Sequence, residues 1–213
     1  MRDLEASTEG EATGRIVVLE DTNGDSQLDK RTVFLDGLVM PRAAAVTTDG
    51  LLYTSGDALY FLKREGLKVT GDPELIDSSY AEGGNPEHKA NGLFYARDNW
   101  YYSAKSSRRY RRVDGKWITE GTQFRGQWGM TQDDAGRLFY SSNSTPLITN
   151  QFRPGVLGAL EKHKLKKYKS SVAIGGTKVF PSRMTPGVNR AYRDGVLKGD
   201  GKLAAATSAA GIE

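Results

Sequence analysis

The stretch Asn91–Ser103, NGLFYARDNWYYS, decides the fold. Leu93-Phe94-Tyr95 is a short apolar segment. Asp98-Asn99 is a turn pair, because Asn and Asp side chains bond locally to the backbone and tolerate left-handed conformations. Trp100-Tyr101-Tyr102 then makes an aromatic run that suits a pleated, half-buried surface. The stretch reads as strand, tight turn, strand.

Working outward, the same scheme occurs twice more. Ala44–Ser55 (AAVTTDGLLYTS) turns at Asp49-Gly50, and Trp128–Ser141 (WGMTQDDAGRLFYS) turns at Asp133–Gly136. The tyrosines at 53, 102 and 140 lie 49 and 38 residues apart. More strand follows each of the first two copies. Ala58–Lys63 follows one; Tyr110–Val113, an Asp114-Gly115 hairpin turn and Lys116–Thr119 follow the other. Repeats of roughly 40–50 residues with about four strands each are the signature of β-propeller blades. The expected class is therefore all-β, a partial β-propeller with about three to four blades of a six-bladed whole.

The ends are less regular. Residues 1–13 are polar and patternless and read as a disordered start. Ile16–Leu19 and Arg31–Leu35 read as strands, so the blades occupy residues 14–150. Residues 151–213 read as a loop-rich, truncated continuation, with strand candidates at Val172–Ile174 and Lys178–Phe180 and turns at Met184–Gly187 and Arg193–Gly195. A propeller closes with about 4–8 blades, so the chain reads as a fragment.

Composition narrows the chemistry. Charged residues make up 26% of the 213 and apolar ones 38%, an ordinary soluble balance. There is no cysteine, which excludes disulfides, thiol catalysis and covalent haem attachment within this chain. No run approaches the roughly 18 apolar residues of a membrane span, and the start does not read as a signal peptide. The net charge is +4, gathered at Arg108–Arg112 (RRYRR) and Lys162–Lys169. Neither cluster sits in a nucleic-acid motif, so a basic strand edge and a solvated loop are expected and no nucleic acid is expected as a partner.

Two motifs carry chemistry. In DTNGDSQLD, Asp21, Asn23, Asp25 and Asp29 place oxygen side chains at positions 1, 3, 5 and 9 of one loop, with a backbone carbonyl near Gln27 as a further ligand. Such an all-oxygen set suits calcium. Ser26 and Thr32 stand where an EF-hand has Gly and Glu, and strands flank the loop, so this is a calcium hairpin and not an EF-hand. The plainer reading is an Asp/Asn/Gly turn held by local bonds. The second motif is Glu87-His88, in a loop just ahead of the Asn91 strand. Imidazole is the side chain best suited to proton transfer near neutral pH. The plainer reading is a surface or hydrogen-bonded loop histidine.

GRIVVLEDTNGDSQLDKRTVFLDGL, GNPEHKANGLFYARDNWYYSAKS, FRGQWGMTQDDAGRLFYSSNS and TPGVNRAYRDGVL together resemble the sorbosone-dehydrogenase-like propeller domains, distant relatives of the soluble quinoprotein sugar dehydrogenases. The resemblance covers roughly residues 14–200. It implies oxidation of a sugar or alcohol by pyrroloquinoline quinone (PQQ), with His88 as general base and Glu87 beside it at the cofactor. In the relatives an Arg-Asn-x-Gln-Gly pattern holds the quinone carboxylates. Here Arg125-Gly126-Gln127-Trp128-Gly129 lies in that place, so Arg125 and Gln127 are the implied cofactor residues. Gly126 stands in place of the Asn and Trp128 in place of the Gln. The resemblance further implies a periplasmic or secreted location and an electron acceptor, such as a cytochrome c domain, outside this chain. The alternative function is a non-catalytic, calcium-stabilised propeller that binds glycan or protein.

Overall fold

The computed structural model describes residues 12–83, 85, 88–156, 170–176, 178–180, 184, 194–207 and 209. It is all-β, with antiparallel pairing throughout the strand pairs that follow. The chain divides into two compact units, Met1–Leu93 and Phe94–Glu213.

The first unit opens with the hairpin β1 (Gly14–Glu20) and β2 (Lys30–Leu38), paired through Val18↔Thr32 and Glu20↔Lys30. A meander follows: β3 (Ala44–Val46), β4 (Gly50–Ser55) and β5 (Ala58–Glu65). The long β5 pairs with β6 (Lys68–Val69) at one end and β7 (Glu74–Asp77) at the other. Leu52, Leu59, Phe61 and Leu62 are almost completely buried. Each contributes on the order of 1.5–3 kcal/mol by leaving water. Leu38, Leu51, Tyr53 and Leu62 form one cluster, against which Ile16, Phe34 and Leu35 of the hairpin pack. The apolar positions of the hairpin therefore fasten it to the meander.

A second meander is built from β8 (Asn91–Tyr95), β9 (Tyr101–Ala104), β10 (Ser106–Val113) and β11 (Lys116–Arg125). A third contains β12 (Met130–Gln132), β13 (Leu138–Ser142), β14 (Thr145–Asn150) and β15 (Ser171–Ala173). In the second unit, Ala96, Trp100, Tyr102, Met130 and Leu138 make the core between these two meanders. Arg97 and Gln132 tie their turns together, the Arg97 amide donating to Gln132 Oε1 at 3.0 Å.

The three recurrent stretches supply the first two strands of the three meanders. Tyr53, Tyr102 and Tyr140 each lie buried in the second strand. The Asp114-Gly115 turn joins β10 to β11 with both residues left-handed, φ 49° and 75°. That is the backbone a two-residue hairpin requires.

Three expectations change. RRYRR is not at a sheet edge: β10 lies between β9 and β11. Tyr110 is fully buried, while Arg109 and Arg111 both lie against the Trp100 indole, their guanidinium carbons 4.2 and 4.5 Å from the ring centroid. The alternation of a strand puts those two arginines on one face, where cation–π attraction to the indole is worth about 0.5–2 kcal/mol each. The Lys178–Phe180 segment makes a single bridge, Lys178↔Ala205, and not a strand. The last strand is Ser171–Ala173, one residue earlier than Val172–Ile174. The stretches 1–11, 157–169, 185–193 and residue Glu87 lie outside the described residues.

Candidate functional site

Arg125 is the last residue of β11, and Asn150 is the last of β14. Both side chains are buried, Arg125 at 4% exposure and Asn150 at 3%. Arg125 Nε donates to Asn150 Oδ1 at 2.8 Å. Its Nη1 donates to Thr122 Oγ1 at 2.9 Å and to the Gln123 carbonyl at 2.8 Å. Asn150 is itself fixed, because its Nδ2 donates to Gln123 Oε1 and to the Ser170 carbonyl. The guanidinium also lies 5.1 Å from the Tyr102 ring centroid. Burial pushes its pKa below the usual arginine value, so the charge is held at a cost. Among the described residues no carboxylate forms an ion pair with Arg125.

This arginine lines a cavity of about 720 Å³. Thr122, Gln123, Asn150, Arg109, Phe152 and Arg153 also line it. Among the described residues that line the cavity are three arginines and no carboxylate. Arg109 is already paired with Glu120 at 2.7 Å, yet its Nε is a buried donor without an acceptor. Its Nη1 donates to the Tyr102 hydroxyl at 3.1 Å, and that hydroxyl donates to Asp98 at 2.7 Å. Burial opposes the Arg109 charge, and the bonds to Tyr102 and Glu120 outweigh it. Arg153 is exposed at the rim.

The segment after Arg125 shows why glycine stands at position 126. Gly126 has φ 58°, and a Cβ there would come within 3.2 Å of the Ser141 carbonyl oxygen and of Tyr140 Cβ. A side chain in that place would press on β13. Gln127 is buried but is not among the residues that line the cavity.

His88 belongs to the first unit and Arg125 to the second. The imidazole is exposed, and the His88 amide donates to the Asn85 carbonyl at 2.7 Å. The loop is pinned immediately after it. Lys89 is buried and pairs with Asp57, and Asn91 Nδ2 donates to the Lys89 carbonyl at 3.1 Å. His88 is thus an accessible ring on an anchored loop.

The acidic loop caps the β1–β2 hairpin and is exposed throughout. Asp21 accepts backbone N–H bonds from Ser26, Gly24 and Asn23. Asp25 accepts from the Gln27 amide and from Asn23 Nδ2, and Asp29 from the Thr22 amide and hydroxyl. The Ser26 amide, above all, holds Asp21 below the usual carboxylate range, and the Thr22 hydroxyl does so for Asp29. Among the described residues no three acidic or imidazole groups are gathered closely enough to share a metal ion. The loop as folded is held by its own bonds, with the oxygens of Asp21, Asn23, Asp25 and Asp29 turned onto loop donors.

Of the sequence-derived candidates, then, Arg125 stands in a formed cavity, Gln127 beside it in the chain, and His88 on an accessible loop. Arg109, Asn150 and Arg153 were not foreseen. Arg109 carried a signal, since it sits in the basic run one strand away from Trp100. Asn150 and Arg153 carried none, because neither belongs to a recognisable pattern. Among the described residues, no helix is long and apolar enough to cross a membrane.

The profile of a protein family described as Domain of unknown function (DUF7133) matches residues 1–213. No curated protein and no solved structure matches.

Proposed function

The chain belongs to the DUF7133 family, and from that premise we propose that it is a β-propeller segment of a quinoprotein dehydrogenase acting on a sugar or alcohol. The single observation that carries this reading is the buried Arg125 in a cavity whose described lining holds three arginines and no acid. PQQ carries several carboxylates, and the Arg125 guanidinium, whose Nε and Nη1 hydrogens go to Asn150, Thr122 and Gln123, has Nη2 left to donate to one of them. The donor set therefore fits the group. Three antiparallel meanders, one of five strands and two of four, each opened by one copy of the repeat, support the propeller architecture.

In this proposal Arg125 holds a quinone carboxylate, and Gln127 and Glu87 belong to the cofactor surroundings as the resemblance implies. Bound PQQ supplies the acceptor for the hydride that leaves the carbinol carbon. His88 takes the hydroxyl proton, so the substrate becomes a carbonyl compound and the proton rests on the ring nitrogen. An acceptor outside this chain would reoxidise the cofactor, in a periplasmic or secreted setting. Calcium is the second proposed cofactor, at Asp21, Asn23, Asp25, Gln27 and Asp29. Because local bonds already hold that loop, the ion would add to the stability of the hairpin and not create it.

A second reading draws on the exposure of His88. An accessible ring is compatible with a non-catalytic, calcium-stabilised propeller that binds glycan or protein. Reconstitution with PQQ and calcium separates the two. We expect dye-linked oxidation of aldoses that His88→Ala lowers at least about 100-fold, the usual scale of a general base, while PQQ absorbance changes persist. No absorbance shift and no turnover in the wild type would refute the dehydrogenase reading.

A further inference from the structure

His88 is exposed, yet the side chains that follow it turn inward at once. The Lys89 side chain is 8% exposed, Ala90 5% and Asn91 9%. Lysine is almost never buried to that extent unless it is paired. Its partner is the carboxylate of Asp57, in the turn between β4 and β5. That turn is held in its own right. The Gly56 amide donates to the Val39 carbonyl at 2.7 Å, and the Ala81 amide donates to the Asp57 carbonyl at 2.9 Å. The hydroxyl of buried Tyr80 donates to the Gly92 carbonyl at 3.0 Å. Both sides of Ala90 are therefore fixed within the first unit, Lys89 to the β4–β5 turn and Gly92 to Tyr80.

Stability alone is a weak reason for such a pair. Desolvation of two charges offsets much of their attraction, and an apolar side chain of similar size often serves as well. An ion pair supplies direction instead. The ammonium has to stay at the carboxylate, whereas a methyl group packs nearly as well after a shift. The residue so fixed is the neighbour of His88, so any sliding of Lys89 along the turn would carry the imidazole with it.

We propose that Lys89 and Asp57 are positioning residues for His88, their ion pair fixing the backbone that presents the imidazole to a substrate hydroxyl in one orientation. The inference rests on the general-base role given to His88 above, and adds two residues that touch neither substrate nor cofactor. A reacting group displaced by about 1 Å can lose about 100-fold in rate, so the anchor of the loop matters to the chemistry without taking part in it.

The test uses the full chain. Amide hydrogen exchange is read at His88, whose amide donates to the Asn85 carbonyl, and at Leu52 in β4 as a core control. PQQ-supported turnover is measured on the same proteins. Lys89→Met keeps the stem and removes the charge, and it leaves Asp57 beside the Arg42 guanidinium that it also attracts. It should speed His88 exchange at least about tenfold and leave Leu52 within about twofold. The same variant should lower kcat at least about tenfold and hold KM within about twofold, because only the orientation of the base changes. Asp57→Asn, at a side chain 40% exposed, should reproduce both effects. The double variant should be no worse than Asp57→Asn alone, since the two residues act as one unit. Unchanged His88 exchange in Lys89→Met, losses that add in the double variant, or a wild-type kcat in both single variants would overturn the proposal. Without turnover in the wild type the dehydrogenase reading fails, and exchange alone then decides the anchor: acceleration upholds it and no change overturns it.

Discussion

Tyr102 shows how much of the second unit hangs on single side chains. It is 1% exposed, its hydroxyl bonds both Asp98 and Arg109, and its ring faces the Arg125 guanidinium. Tyr102→Phe should cost about 1–2 kcal/mol by removing the hydroxyl from that network. Burial, and then the bond to Asp98, push the Tyr102 pKa above its ordinary 10.0. The folded state therefore keeps the proton longer than the unfolded chain does. Stability is complete below about pH 10 and falls as pH rises beyond it. Chemical denaturation across pH 9–11.5 should show that fall, and Tyr102→Phe should flatten it; an identical slope in the variant would count against the assignment. At this scale Arg125 was legible because a motif placed it, and Tyr102 because its repeat did. Asn150 was not legible, since a buried amide at a strand end looks in sequence like any polar residue after an apolar run.

Strands and turns were the most legible level. Asp114-Gly115 joined two strand candidates and became a hairpin turn, because left-handed backbone at both residues favours those residue types. RRYRR was harder. Its charge concealed an interior strand whose arginines lie over Trp100, a tertiary contact that no local pattern encodes. Gly50 has a positional reason of its own: a Cβ there would lie 2.5 Å from the Leu62 carbonyl oxygen and the Phe61 ring. Gly50→Ala should destabilise the first meander by about 1–3 kcal/mol, the scale of overpacking, seen as a lowered urea midpoint; an unchanged midpoint would mean the strands part without cost. The β1–β2 loop makes a separate prediction. Its Asp21 and Asp29 have depressed pKa values, so their contribution is present above the usual aspartate value of 3.8 and lost as pH falls below it. Replacing Asp21 and Asp25 with Ala should shrink that acid loss and abolish any rise in melting temperature with calcium. A wild-type melting curve unmoved by calcium would leave the loop as a self-bonded turn.

For the whole chain, the three-fold recurrence of strand, turn, strand was the informative signal, and each copy does open an antiparallel meander of four or five strands. The period was visible because every copy buries an aromatic residue in its second strand, which pins the register of each sheet. Residues 151–213 were opaque for the opposite reason. Their apolar residues follow no period, and the described part holds one short strand and isolated bridges. The functional claim adds to this fold a cavity built by the ends of β11 and β14 and the residues after β14, which no single segment announces. Titration of PQQ into the full chain, followed by calorimetry and by quinone absorbance, tests that claim most directly. The account predicts saturable binding of one equivalent that Arg125→Met eliminates while its circular dichroism stays that of the wild type. Absence of binding, or equal binding by a folded Arg125→Met protein, would contradict it.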